Sequence, residues 1–128
     1  MKLQNNLYTI SSPPSGLAGD GTLVCMVHLI EDCMIYKAHF PNAPTTPGAC
    51  IIQIAQELYE QVCGQTIEIT EVENAKFLKI MTPDSDNCYR YSFSKATTSH
   101  PSKGEKLQVV VSCDDTIYAK FTLICKTI

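Results

Sequence analysis

Tyr36-Lys37-Ala38-His39-Phe40-Pro41-Asn42-Ala43-Pro44-Thr45-Thr46-Pro47-Gly48 is the stretch on which the fold of this chain turns. It sets a histidine in a segment stiffened by three prolines (Pro41, Pro44 and Pro47), directly ahead of one convincing helix. Residues 38–47 read as a rigid loop. Thr46 suits the N-cap, and Pro47 suits the first helical position, where its missing N–H costs nothing. Ile51, Ala55, Leu58 and Val62 then recur at helical spacing with Ile52 and Tyr59 beside them, and Gly64 is a natural stop. The start of such a helix offers unpaired N–H groups and a partial positive charge. Gly48 has no side chain, so a ligand oxygen can come close to its N–H. A carbonyl held there is polarised as in an oxyanion hole, and a neutral imidazole at His39 can remove a proton from the neighbouring carbon. A lone histidine is more often structural than catalytic, and the residues alone leave both roles open.

Outward from the helix the period changes to two. Upstream, a short strand around Leu7–Ile10 precedes the turn-rich run Ser11-Ser12-Pro13-Pro14-Ser15-Gly16. Thr22–Glu31 alternates, with Leu23, Cys25, Val27 and Leu29 on one side and Val24, Met26, His28 and Ile30 on the other. It reads as a strand covered on both faces. Downstream, Ile67–Ile80 holds strand-like pieces. Tyr89, Tyr91 and Phe93 share a face, and so do Leu107, Val109, Val111 and Cys113. Asp114-Asp115 marks a hairpin turn, and Ile117, Ala119, Phe121, Leu123 and Cys125 line a last strand. Two strands, one helix and about four strands make an α+β domain, its antiparallel sheet wrapped around the helix.

The chain has 128 residues, enough for one domain with a proper core. A net charge of −3 argues against nucleic acid, and no apolar run is long enough to span a bilayer. The first residues lack the apolar core of a signal peptide, so a cytoplasmic location is expected. Seven widely spaced cysteines show neither C-x-x-C pairing nor zinc-site spacing, and read as mostly buried thiols. No metal or cofactor is expected. His28, in a strand, and His100, in a polar loop, read as structural or exposed.

The run His39-Phe40-Pro41-x-x-Pro44-x-x-Pro47-Gly48 resembles the signature of the (3R)-hydroxyacyl-[acyl carrier protein] dehydratases. Asn74-Ala75-Lys76-Phe77-Leu78 followed by Pro83 resembles that family's "K-F" strand, and the element order fits nearly all of 1–128. The resemblance implies a single hotdog domain that eliminates water from 3-hydroxyacyl thioesters of acyl carrier protein, in fatty-acid or related synthesis. It also implies a homodimer with sites at the interface, where His39 of one protomer works with an acidic residue on the partner's helix. Phe40 and Pro47 are then expected to contact substrate, and Gly48 to polarise the thioester. Carriers are acidic, so Lys37, Lys76 and Lys79 are candidates for docking one.

One position departs from the pattern. The family's acid lies fourteen residues after the histidine, and here that residue is Gln53. An amide has no proton to give a leaving hydroxyl, and general acid catalysis contributes typically 10²–10⁴-fold. Gln53 is left to position the hydroxyl or a water. Glu57, at i+4 on the same helix face, is the candidate to compensate and contact substrate. Gln53, Gln56, Glu57 and Glu60 also read as a plain solvated stripe. Alternatives are a carrier-binding module or partner subunit without turnover, and a hotdog thioesterase. The thioesterase is disfavoured because the first helical turn has no carboxylate, and Cys50 is its remote candidate nucleophile.

Overall fold

Alternating apolar residues become strands and the 3.6-period segment becomes a helix in the computed structural model. It describes residues 2–16, 22–39, 45–84, 86–96 and 104–127, with backbone alone at 13–16, 39 and 96. The elements are β1 (Tyr8–Gly16), β2 (Leu23–Leu29), α1 (Met34–His39), α2 (Gly48–Cys63), β3 (Ile67–Phe77), β4 (Tyr89–Ala96), β5 (Glu105–Cys113) and β6 (Thr116–Thr127). All six strands form one antiparallel sheet in the order β1-β2-β4-β5-β6-β3. The sheet wraps α2, which is the α+β hotdog arrangement expected. No helix among the described residues is long and apolar enough to cross a membrane.

The core lies between α2 and one sheet face. Ile51, Ile54, Ala55, Leu58 and Tyr59 of α2 are buried with Val27, Tyr89, Tyr91, Phe93, Leu107, Val109, Val111, Phe121 and Leu123 of the strands. Each large apolar side chain so buried contributes about 1.5–3 kcal/mol. Tyr91 and Tyr59 keep their hydroxyls satisfied there, Tyr91 by donating to the carbonyl of Ile51 (3.2 Å) and Tyr59 by donating to Glu105 Oε2 (3.0 Å). Gly64 ends α2 in the left-handed region (φ 68°), and its N–H donates to the carbonyl of Glu60. Asp114 turns the β5–β6 hairpin at φ 53°.

Several expectations need correction. Ser11–Gly16 is not a turn but the second half of β1. This edge strand pairs with β2, with register shifts between Ile10 and Ser12 and again between Ser12 and Ser15. Prolines that lack an N–H are tolerated at such edges and bulges. A first helix, α1, was not foreseen, because six residues are too few to display helical periodicity. It takes Ala38 and His39 from the expected loop. Pro47, not Thr46, is the N-cap residue of α2, and no side chain caps that end. Val62 is exposed rather than part of the buried stripe. The second face of β2 is only half-covered, at Val24, Met26 and His28. Four thiols (Cys25, Cys33, Cys113 and Cys125) are buried, while Cys50 and Cys88 are half-buried and Cys63 is exposed.

Buried phenols and thiols give the fold a predictable response to base. Burial pushes Cys25 up to about 11 and Tyr36 up to about 12, from ordinary values near 9 and 10. Burial also pushes Tyr8, Tyr59 and Tyr91 upward. These groups are neutral when protonated, so above pH 9 the folded chain holds more protons than the unfolded one. Their contribution to stability is complete below pH 9 and is lost as pH rises through 11–12. The thermal midpoint should fall steadily from pH 9 to 11, and tyrosinate absorbance should appear largely with unfolding. Smooth ionisation of all six tyrosines near pH 10 in folded protein would contradict this burial.

Candidate active site

The ends of the proline-rich segment are tied together by side chains. Thr46, released from capping, donates from Oγ1 to the carbonyl of Met81 at 2.9 Å and accepts from the hydroxyl of Tyr36 at 2.8 Å. Its backbone N–H also donates to Met81, at 2.9 Å. Tyr36 and Thr46 are both buried. Tyr36 lies on α1, one turn before His39, and Thr46 lies two residues before Gly48. The clasp therefore anchors the helix that ends in His39 to the start of α2. Sequence reasoning missed Tyr36 and Met81, because nothing in their spacing distinguishes them from core. The histidine ring, and Phe40 with residues 41–44, lie outside what is described.

At the start of α2 the carbonyl of Pro47 accepts from the N–H groups of Cys50 (3.0 Å) and Ile51 (3.1 Å). The N–H groups of Gly48 and Ala49 precede the first intrahelical bond. Gly48 also makes a close contact that the sequence did not disclose. A Cβ at that position would stand 3.0 Å from Cζ of Phe77, so the missing side chain leaves room for the ring. Phe77 closes β3 and is 47% exposed, so it forms a wall between the helix start and solvent. Cys50 sits in the same first turn, but burial and nearby Cys33 push its thiol up. That is the wrong direction for a helix-terminus nucleophile.

Glu57 corrects the solvated-stripe reading. Its side chain is buried at 6% exposure, and both oxygens are occupied. Oε2 accepts from the N–H of Leu3 (2.7 Å) and from Nε2 of Gln53 (3.1 Å). Oε1 accepts from the N–H of Gln4 (2.9 Å) and the hydroxyl of Tyr8 (3.0 Å). Four donors from the N-terminal segment, β1 and α2 thus converge on one carboxylate. With both oxygens accepting, the carboxylate ties these segments together. Gln53 is half-buried and, with Gln4, Gln56, Glu57 and Glu60, lines a polar groove of about 700 Å³ along the outer side of α2. Lys37, Lys76 and Lys79 are all exposed, Lys37 on α1 and the other two at the end of β3 beside Phe77.

Solved structures with the same architecture include a dehydratase heterocomplex, ApeI:P, from Xenorhabdus doucetiae. It is 14% identical, with a TM-score of 0.69 over 86% of this chain and 91% of that one. A Streptococcus mutans protein bound to acetyl-CoA is 10% identical, with a TM-score of 0.64 over 94% of this chain and 89% of that one. A hypothetical thioesterase with coenzyme A from Streptococcus pneumoniae is 11% identical, with a TM-score of 0.63 over 94% and 85%. At such identities the likeness establishes the fold alone. No curated protein matches the sequence. The model of the ApeI-like family, described as ApeI dehydratase, matches residues 17–114, a span that holds both the proline-rich segment and α2. The chain belongs to the ApeI-like dehydratase family.

Proposed function

We propose that this chain acts in the cytoplasm on 3-hydroxyacyl thioesters of acyl carrier protein, removing water to give the trans-2-enoyl thioester. The observation that carries the reading is the Tyr36–Thr46–Met81 clasp. In a chain of a dehydratase family, it anchors the helix ending in His39 to the open N-terminus of α2. The thioester oxygen lies at the N–H of Gly48, where developing enolate charge is stabilised. The imidazole of His39 removes a proton from the α-carbon, and that electron pair forms the Cα–Cβ double bond. The β-hydroxyl, positioned by Gln53, leaves as water with the proton that His39 has taken from the α-carbon, which returns the imidazole to its neutral form. Pro47 flanks the thioester with Phe77 as a wall, and Phe40 is assigned as a further substrate contact. Glu57 acts through Gln53 rather than by touching substrate. The absence of any acidic residue in the first turn of α2 weighs against thioester hydrolysis.

The test is mass-spectrometric turnover of 3-hydroxyacyl carrier protein by wild type and His39→Ala. Wild type should lose water from the acyl chain, and His39→Ala should be slower by at least about 10²-fold. Equal rates would remove His39 from the mechanism. A second reading follows from the amide of Gln53 at the expected acid position and from the carboxylate of Glu57, whose two oxygens are both occupied. In it, the chain is one half of a two-subunit site and its partner's carboxyl supplies the proton. The architectural likeness to a dehydratase heterocomplex supports this arrangement. Wild type that binds substrate but turns it over only with a second subunit favours it over a self-sufficient homodimer.

A further inference from the structure

The sheet face away from α2 carries a charge arrangement that packing does not explain. Lys76 of β3 stands directly opposite Lys120 of β6 in the antiparallel register, and both are exposed. Like charges so placed on adjacent strands destabilise a sheet. Neither ammonium has a carboxylate partner among the described residues. The nearest acid in the register, Glu73, is engaged by Lys106 at 3.2 Å. Between the two lysines lies a cleft of about 320 Å³, lined also by Asn74, Gln108 and Thr122, with no acidic residue in its wall. Two cations with neutral amide and hydroxyl donors match an oxyanion with several acceptor oxygens, such as a phosphate.

We infer that this cleft binds the phosphate of a phosphopantetheine arm, the group that presents an acyl thioester whether carried by a protein or by coenzyme A. The inference rests on the thioester reading above and adds Lys120 to the expected lysines. Position supports it. Lys76 is the residue before Phe77, whose ring lies against Gly48, so consecutive Cα atoms about 3.8 Å apart link the two places. An arm leaving the thioester at Gly48 reaches the cleft by rounding the C-terminal end of β3, where the strand stops at Phe77. Lys79 borders that route, its N–H donating to the carbonyl of Tyr118 at 3.2 Å.

The experiment compares calorimetric affinities for acyl-4′-phosphopantetheine, the same acyl-pantetheine without phosphate, acyl-coenzyme A, acyl carrier protein, and carrier protein lacking the arm. It uses wild type, the double variant Lys76→Gln/Lys120→Gln, and Lys126→Gln as control. Wild type should prefer the phosphorylated arm about tenfold over the unphosphorylated one. The double variant should lose that preference while keeping its affinity for acyl-pantetheine, and the control should match wild type. Comparable gains for carrier and coenzyme A would mark both as sources of the phosphate. Equal binding of both arms by wild type, or a preference that survives in the double variant, overturns the phosphate site and leaves the thioester reading intact. Full affinity for the armless carrier also overturns it, in favour of protein-surface docking. Failure to bind any arm, phosphorylated or not, sinks both.

Discussion

Gln53→Glu is expected to raise turnover of 3-hydroxyacyl carrier protein by about 10²–10⁴-fold, the usual contribution of a positioned general acid. The new carboxyl would stand where Nε2 of Gln53 now lies, 3.1 Å from Oε2 of Glu57. Two carboxylates at that distance cannot both be ionised. Glu57 keeps three other donors, from Leu3, Gln4 and Tyr8, so the shared proton resides on position 53. A carboxyl kept protonated near neutral pH by a charged neighbour is the state a general acid needs. The variant should therefore show a rate that declines on the alkaline side as the introduced carboxyl ionises, a limb that wild type lacks. Rate–pH profiles of the two proteins check this directly. A variant that binds substrate yet stays inert would mean that the acid belongs on another subunit and that this chain supplies the other half of the site.

The architecture was legible because period-two and period-3.6 patterns are properties of the residues themselves. The alternation in Tyr89–Phe93 and Leu107–Cys113, the helix stripe and the stop at Gly64 needed no tertiary information. What stayed hidden depends on contacts between distant positions. Thr46 looked like a cap because local rules favour it, but Met81 and Tyr36 compete for the same hydroxyl across the fold. Beside the close approach that Gly48 offers a ligand oxygen, spacing could not reveal its second neighbour, the ring of Phe77 far along the chain, which a Cβ there would meet at 3.0 Å. Pro13 and Pro14 signalled a turn, and only the edge position of β1 makes them acceptable in a strand. Glu57 looked solvated because its neighbours Gln53, Gln56 and Glu60 are polar, and its four donors come from segments that spacing cannot bring together.

Those four donors make Glu57 the polar residue whose loss should cost the fold most. Glu57→Ala strands the N–H of Leu3 and the hydroxyl of Tyr8 in buried surroundings, at about 1–3 kcal/mol each, and leaves a cavity besides. A loss near ~4 kcal/mol is a large share of the roughly 5–15 kcal/mol typical of such domains, and should lower the thermal midpoint by about 10 °C or more. Tyr8→Phe removes one donor and leaves the carboxylate three, so about 1 kcal/mol is expected. Denaturant titration of both variants measures the difference. Losses of equal size would mean that the Tyr8 bond alone matters and that no four-donor hub exists. The distinction bears on activity as well, because Gln53 takes its orientation from the same carboxylate. In the double variant Gln53→Glu/Tyr8→Phe, Glu57 has one donor fewer with which to hold its charge, so the proton is shared more evenly between the two carboxyls. The plateau rate should then fall below that of Gln53→Glu alone, while an unchanged plateau would show that Glu57 does not govern position 53.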